Sequence, residues 1–200
     1  MNGDTDVGQH VFWIASRASG VVAIVMLTFT VIVGLMAGGR LFPGVKTRDL
    51  TRLHEFSSLA SIFAIAAHGL LLLGDGYLNP SLADILVPFQ IDYRPVYTGL
   101  GIVAGWVTLV LGLSYYVRNR VGAARWKKLH RFIIVAFALS VAHVLGAGTD
   151  ATSAWLKYPL LAGTALVVIL FLARVSASPG TAAPRRPQRS AAPRSARGQA

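Results

Sequence analysis

Residues 53–74 read LHEFSSLASIFAIAAHGLLLLG, an apolar run that carries two histidines, His54 and His68, fourteen residues apart. The run is long enough to cross a hydrocarbon core, which takes about 20 helical residues. At about 100° per residue the fourteen steps leave the two histidines only about 40° apart around the helix, and at about 1.5 Å per residue they stand about 21 Å apart along it. Small Ser61 lies midway on the same stripe, leaving room for a flat macrocycle to approach. Ionisable side chains inside membrane helices are costly and usually functional.

A second pair, His130 and His143, lies in another apolar run at a spacing of thirteen residues, about 19.5 Å on a helix. Here an ideal helix leaves the two side chains about 140° apart, so helix tilt, local distortion or a frayed start at His130 must absorb the difference. His10 precedes the first apolar run, has no partner at equal depth and is expected to be a surface residue.

The surrounding composition agrees with a membrane setting. Of 200 residues 54% are hydrophobic and only 14% charged, and the mean hydropathy of +0.57 exceeds that of an ordinary soluble domain. The reading is all-α: an integral membrane bundle of five spans, Trp13 to Met36, Leu53 to Gly74, Val96 to Val117, Leu129 to Thr149 and Trp155 to Ala173. Six is the alternative, because Leu82 to Ile91 is also apolar; it is short and interrupted by Asp84 and Pro88, so a shallow interfacial segment is expected. Residues 1–12 form an N-terminal extension, 13–173 the membrane domain and 174–200 a tail rich in Arg, Pro and Ala. That tail has no apolar periodicity and is expected to be disordered.

A net charge of +11 raises the question of nucleic acid, but the cations cluster between apolar runs and read as topology signals. Arg40, Lys46, Arg48 and Arg52 follow the first span, Arg118 to Arg131 carry six cations after the third, and Arg174 opens the tail. The opposite loops hold Asp75, Asp84, Asp92 and Asp150, with only Arg94 and Lys157. The positive-inside rule then places the N-terminus outside and the C-terminus inside a cytoplasmic membrane of bacterial type. Asp4 and Asp6 stand where a cleavable signal would carry positive charge, so the first span is expected to be retained.

With that topology the two histidine-bearing spans run parallel, so His54 faces His130 and His68 faces His143. Each pair suits one six-coordinate haem iron, giving two haems at two depths and a natural role in electron transfer. The chain has no cysteine, which excludes thioether-attached haem, cysteine-ligated clusters and disulfides. The competing class is a channel, transporter or anchoring subunit whose histidines relay protons or join helices. Arg17, inside the first span, is a candidate to hold a haem propionate in a bidentate fork, with snorkelling to headgroups as the alternative. Arg131, Arg52 and Trp126 adjoin the other pair and are read in the same two ways. Gly101 and Gly105 permit close helix approach, and Trp106 reads as a packing residue.

Leu53-His54, Ala67-His68-Gly69, Leu129-His130-Arg131 and Ala142-His143 together resemble the ferric reductase-like transmembrane domain. This is the haem-bearing core shared by ferric reductases, NADPH oxidases and the bacterial membrane subunit that serves periplasmic methionine sulfoxide reductase. The likeness covers about Trp13 to Ala173. It implies two b-type haems held by the four histidines, and electrons carried across the membrane to an external acceptor. The large members append flavin- and nicotinamide-binding domains, and no Gly-rich βαβ sequence follows the last span here. Electrons would then come from a quinol, a flavoprotein or a bound flavin. The single-domain bacterial members are the nearer likeness, although they usually have a sixth span.

Overall fold

The computed structural model describes residues 3–39 and 46–176. The sequence expectations for Arg40 and for the tail beyond Ser176 lie outside the described residues. Eight helices follow one another: α1 (Gly3–Gly39), α2 (Thr47–Leu72), α3 (Leu82–Leu86), α4 (Pro95–Leu113), α5 (Arg118–Val121), α6 (Ala123–His130), α7 (Ile133–Ala147) and α8 (Ala154–Ser176). A 3₁₀ turn, Ser114–Val117, joins α4 to α5. Five helical segments are long and apolar enough to cross a membrane: His10–Gly38, Thr47–Leu72, Pro95–Val121, Ala123–Ala147 and Ala154–Ser176. They match the five expected runs and extend beyond several of them, because helix continues past the apolar stretch toward each surface.

The segment Leu82 to Ile91 holds only the five-residue α3, far too short to span. Ser81 and Asp84 start it with a reciprocal capping box: the Ser81 hydroxyl accepts from the Asp84 N–H at 3.2 Å, and the Asp84 carboxylate accepts from the Ser81 N–H at 2.8 Å. Pro95 opens α4 at a position where its missing N–H costs nothing. Arg94 Nη1 donates to the Gly146 carbonyl at 2.6 Å, satisfying one of the orphan acceptors at the end of α7. This accounts for one of the few cations on the acid-rich loops.

α1 packs along α2, α4 along α7, and α8 along α1. Ile24, Leu27, Val31 and Leu35 of α1 meet Phe137 and Val141 of α7 and Leu160 and Val167 of α8 in one apolar cluster. Half of these residues are β-branched and the rest are Leu and Phe, so the cluster is held by interdigitated aliphatic side chains. The outward face is apolar too. On α2 Phe56, Phe63 and Leu70 are 73%, 76% and 59% exposed. They recur every seven residues and lie two positions, about 200°, from the stripe of His54, Ser61 and His68. One face of α2 therefore meets lipid while the opposite face turns inward.

The bundle has two chemically distinct ends. Arg118, Arg120, Arg125, Lys127 and Lys128 on α5 and α6 mark a basic end, and Asp75, Asp84, Asp92 and Asp150 an acidic one.

Candidate functional site

The two elements that bear the paired histidines, α2 and the α6–α7 segment, are each backed by a helix that supplies none of the four: α1 behind α2, and α4 behind α7. Across the gap the imidazoles face one another in two pairs. His54 and His130 have ring centres 6.0 Å apart with planes at 88°. His68 and His143 have ring centres 6.3 Å apart with planes at 67°. The pairing expected from topology is the pairing observed.

The thirteen-residue step is absorbed by a break in the helix. Arg131 and Phe132 lie between α6 and α7, and the backbone there tightens: Phe132 N–H bonds to Leu129 O, Ile134 N–H to Arg131 O and Val135 N–H to Phe132 O, all three residues back. Such turns advance about 120° per residue rather than 100°, so three of them recover about 60° of the mismatch. The break also frees the two histidines from sharing one straight axis. Of the three remedies open to the sequence, local distortion is the one the chain uses.

Three of the four rings are held in the same way. His54 Nδ1 donates to the Thr30 carbonyl at 3.0 Å, His68 Nδ1 to the Ser16 carbonyl at 2.8 Å and His143 Nδ1 to the Tyr97 carbonyl at 2.9 Å. A carbonyl only accepts, so each Nδ1 carries the proton and each Nε2 keeps its lone pair. Four residues beyond each carbonyl stands a glycine: Gly34, Gly20 and Gly101. A Cβ there would lie 2.9 Å from the ring of His54, 2.9 Å from that of His68 and 2.5 Å from that of His143. The N–H of residue i+4 already bonds the carbonyl of residue i in a helix, so a side chain at i+4 would shield that carbonyl from a second donor. Glycine leaves it open. The Ser16 hydroxyl adds a bond to the His68 carbonyl at 3.0 Å.

His130 departs from this rule. The Leu111 carbonyl, fourteen residues after Tyr97, is the backbone group that faces it, yet His130 Nδ1 is buried and makes no hydrogen bond of good geometry. The residue four beyond Leu111 is Tyr115, in the 3₁₀ turn rather than in α4. Trp126 instead stacks on the His130 ring, centres 4.9 Å apart and planes at 22°.

A cavity of about 510 Å³ opens beside the His68–His143 pair, lined by both histidines, Gly20, Gly101, Gly105 and Trp106. Its size falls in the range of cofactor pockets. Arg17 lines its acidic end and forms a bidentate ion pair with the buried Asp150, while its guanidinium also lies 4.9 Å over the Trp13 ring. Asp75 lines the same wall with one carboxylate oxygen accepting from the Tyr77 N–H at 2.9 Å. Arg131 is exposed at the α6–α7 break, and Arg52 is exposed on α2. His10 is exposed, as expected. Trp106 donates its indole N–H to the Leu86 carbonyl at 2.9 Å, tying α3 over the cavity.

These residues fit a haem. Two imidazoles ligating one iron from opposite sides, each through a nitrogen about 2 Å from the metal, place their ring centres about 6 Å apart. Both pairs meet that spacing with Nδ1 turned outward in three of four rings, the second-shell arrangement usual for a metal-bound imidazole. Among the described residues there is no cluster of three or more His, Cys, Asp or Glu suited to a bare metal ion. Two-histidine sites need a ligand that fills the equatorial plane, which a porphyrin does. Sequence reasoning missed the backing residues Ser16, Thr30 and Tyr97 with their glycines. The signal was present as Gly20 and Gly34, fourteen residues apart, matching the spacing of His54 and His68.

The fold is that of a multi-pass helical membrane protein whose interior carries two facing pairs of histidines. Comparison with known families makes this specific: residues 19–141 match the family model described as ferric reductase like transmembrane component, and the chain belongs to that family. The match spans His54, His68 and His130. Members of the family generally bind haem, and membership supports a role in membrane electron transfer. No curated protein and no solved structure matches the chain.

Proposed function

We propose that this chain is a b-type di-haem protein that carries electrons across a cytoplasmic membrane, with one haem between His54 and His130 and the other between His68 and His143. The observation that supports this most is the double pairing of imidazoles at 6.0 and 6.3 Å. When bound, haem would supply a one-electron iron couple, and a histidine on either side of it would suit electron transfer rather than oxygen binding. The chain's own residues do the rest. Ser16, Thr30 and Tyr97 hold three Nδ1 protons and aim three Nε2 lone pairs inward. Gly20, Gly34 and Gly101 allow that approach, and the lipid-facing stripe of α2 keeps water away.

Arg17, whose guanidinium is engaged by Asp150, is proposed to exchange that carboxylate for a propionate at the acidic end. Arg131 is assigned the same task at the basic end. The charge bias of the loops supports an N-terminus outside and a C-terminus inside, so that electrons enter at the basic end and leave at the acidic end. A potential negative inside assists that direction by about 2.3 kcal/mol per 100 mV. The donor is a quinol or a flavoprotein, with a bound flavin as the third source, and the acceptor lies outside the membrane.

Protein purified from membranes supplied with ample haem tests this. A dithionite-reducible b-type spectrum with about two haems per chain is expected, and His68→Ala should leave one haem and stop electron delivery to an external acceptor in proteoliposomes. Colourless protein would refute the reading.

A further inference from the structure

The four histidines are set by a repeated device with one exception, and the exception has its own structure. On α1 the accepting carbonyls belong to Ser16 and Thr30, fourteen residues apart, with Gly20 and Gly34 four residues beyond them. On α4 Tyr97 and Gly101 repeat the unit for His143. Fourteen residues further, Leu111 and Tyr115 occupy the corresponding positions. There a tyrosine replaces the glycine, and the chain has left α4 for the 3₁₀ turn Ser114–Val117.

Around that turn the aromatic side chains form a connected set. Arg118 lies 3.9 Å over the Tyr115 ring, Tyr115 and Trp126 have ring centres 5.9 Å apart, and Trp126 is stacked on His130. The Trp126 indole N–H donates to the Ser114 hydroxyl at 2.9 Å, fixing the indole to the same turn. Lipid-interface anchoring explains an aromatic residue at this depth. It does not explain a near-parallel stack on the one ligand ring that lacks a backbone clamp.

We propose that Trp126 is a positioning residue for the His54–His130 haem: its indole, locked to Ser114 and backed by Tyr115, fixes the His130 ring by stacking where the other three rings are fixed by a carbonyl and a glycine notch. The proposal rests on the di-haem reading. Stacking restrains the plane of the imidazole but leaves Nδ1 without a strong acceptor, so this haem would have one histidine held by its face and one held by a hydrogen bond. The His68–His143 haem would have two held by hydrogen bonds. Loss of the indole should then disturb one haem and spare the other.

The test uses the full chain in detergent, with haem content and the low-spin ferric electron paramagnetic resonance signals as readouts. His68→Ala first identifies which signal belongs to the His54–His130 haem. Trp126→Ala is expected to shift or remove that signal alone and to lower haem content from about two per chain toward one. Trp126→Phe, which retains a stacking ring but loses the bond to Ser114, should broaden or shift that signal less than Trp126→Ala does and keep both haems bound, and Ser114→Ala should behave like it. The proposal is overturned if Trp126→Ala leaves both signals and the haem content unchanged, if it disturbs both haems equally, or if Trp126→Phe is as damaging as Trp126→Ala. Wild-type protein without haem would overturn the di-haem reading itself, a result distinguishable from all of these.

Discussion

Replacing Gly101 by alanine places a methyl group against the His143 ring. The added Cβ would stand 2.5 Å from His143 Nδ1 and 2.6 Å from Cγ, where ordinary contacts begin near 3.4 Å. The ring must back away by close to an ångström, and in doing so it abandons the 2.9 Å bond to the Tyr97 carbonyl. Overpacking of this kind costs about 1–3 kcal/mol, and the lost hydrogen bond about 1 kcal/mol. At about 1.4 kcal/mol per factor of ten, haem affinity at the His68–His143 pair should fall by about 10- to 100-fold or more, the range expected for second-shell damage. Titration of haem into apo-protein, with the haem-to-chain ratio after purification, measures it.

Gly69 supplies the control, because it adjoins His68 in sequence but a Cβ there would meet nothing within 4 Å. Gly69→Ala should leave both haems bound, and removing a helix-interior glycine should stabilise the protein by up to about 1 kcal/mol. If Gly101→Ala binds two haems as tightly as the wild type, or if Gly69→Ala loses haem equally, the glycine-and-carbonyl clamp is wrong.

Three further outcomes follow from other parts of the fold. Arg17→Gln leaves the buried Asp150 carboxylate without its partner and should cost about 1–2 kcal/mol, a discounted figure because the Arg17 side chain is 38% exposed and screened; Asp150→Asn should cost less, since the guanidinium can turn to water. Thermal midpoints in detergent decide it, and the reverse order of losses would contradict the burial argument. Trp106→Phe removes the bond to Leu86 and should speed amide exchange in α3 by several-fold while leaving α2 and α4 unchanged; uniform exchange across all three would show that Trp106 does not tether α3. The Asp84 carboxyl is held below the usual carboxylate range by the Ser81 hydroxyl and backbone N–H, so its capping contribution is complete above the unfolded value of about 4 and is lost as pH falls through the lower folded value. Trp106 fluorescence should therefore stay constant from neutral pH to about 5 and change only in stronger acid, whereas Ser81→Ala should show the change already at neutral pH.

The spans and the His54–His68 stripe were legible because each rests on a property local to one helix, apolar length and fourteen-residue phase, and the charge at the helix ends then paired the histidines across helices. The Arg17–Asp150 pair was not, since it joins α1 to the loop before α8 across 133 positions, and either residue alone satisfies an interfacial preference. Ser16, Thr30 and Tyr97 escaped for a different reason. They act through backbone carbonyls, so the identity of the residue carries no signal, and only the glycine four positions on marks the place. Gly101 with Gly105 reads naturally as a close-packing motif, and it is one, but the group packed against Gly101 is an imidazole rather than a helix backbone. The kink that reconciles the thirteen-residue step falls at Arg131 and Phe132, which contain neither proline nor glycine to announce it.

The family match ends at residue 141, two positions before His143, and begins at 19, after Ser16 and Arg17. Membership therefore covers three of the four histidines and leaves the acidic-end pair to be argued from geometry. His143 lies 6.3 Å from His68 between ring centres, donates through Nδ1 to a carbonyl as His54 and His68 do to carbonyls of α1, and sits over a glycine that has room for nothing larger. A histidine retained only to join helices would need one hydrogen bond and no notch. It would have no reason to repeat on α4 the spacing of carbonyl and glycine found twice on α1. The repetition of that four-residue unit on α1 and α4 supports the proposal that His143 shares the task proposed for His54 and His68.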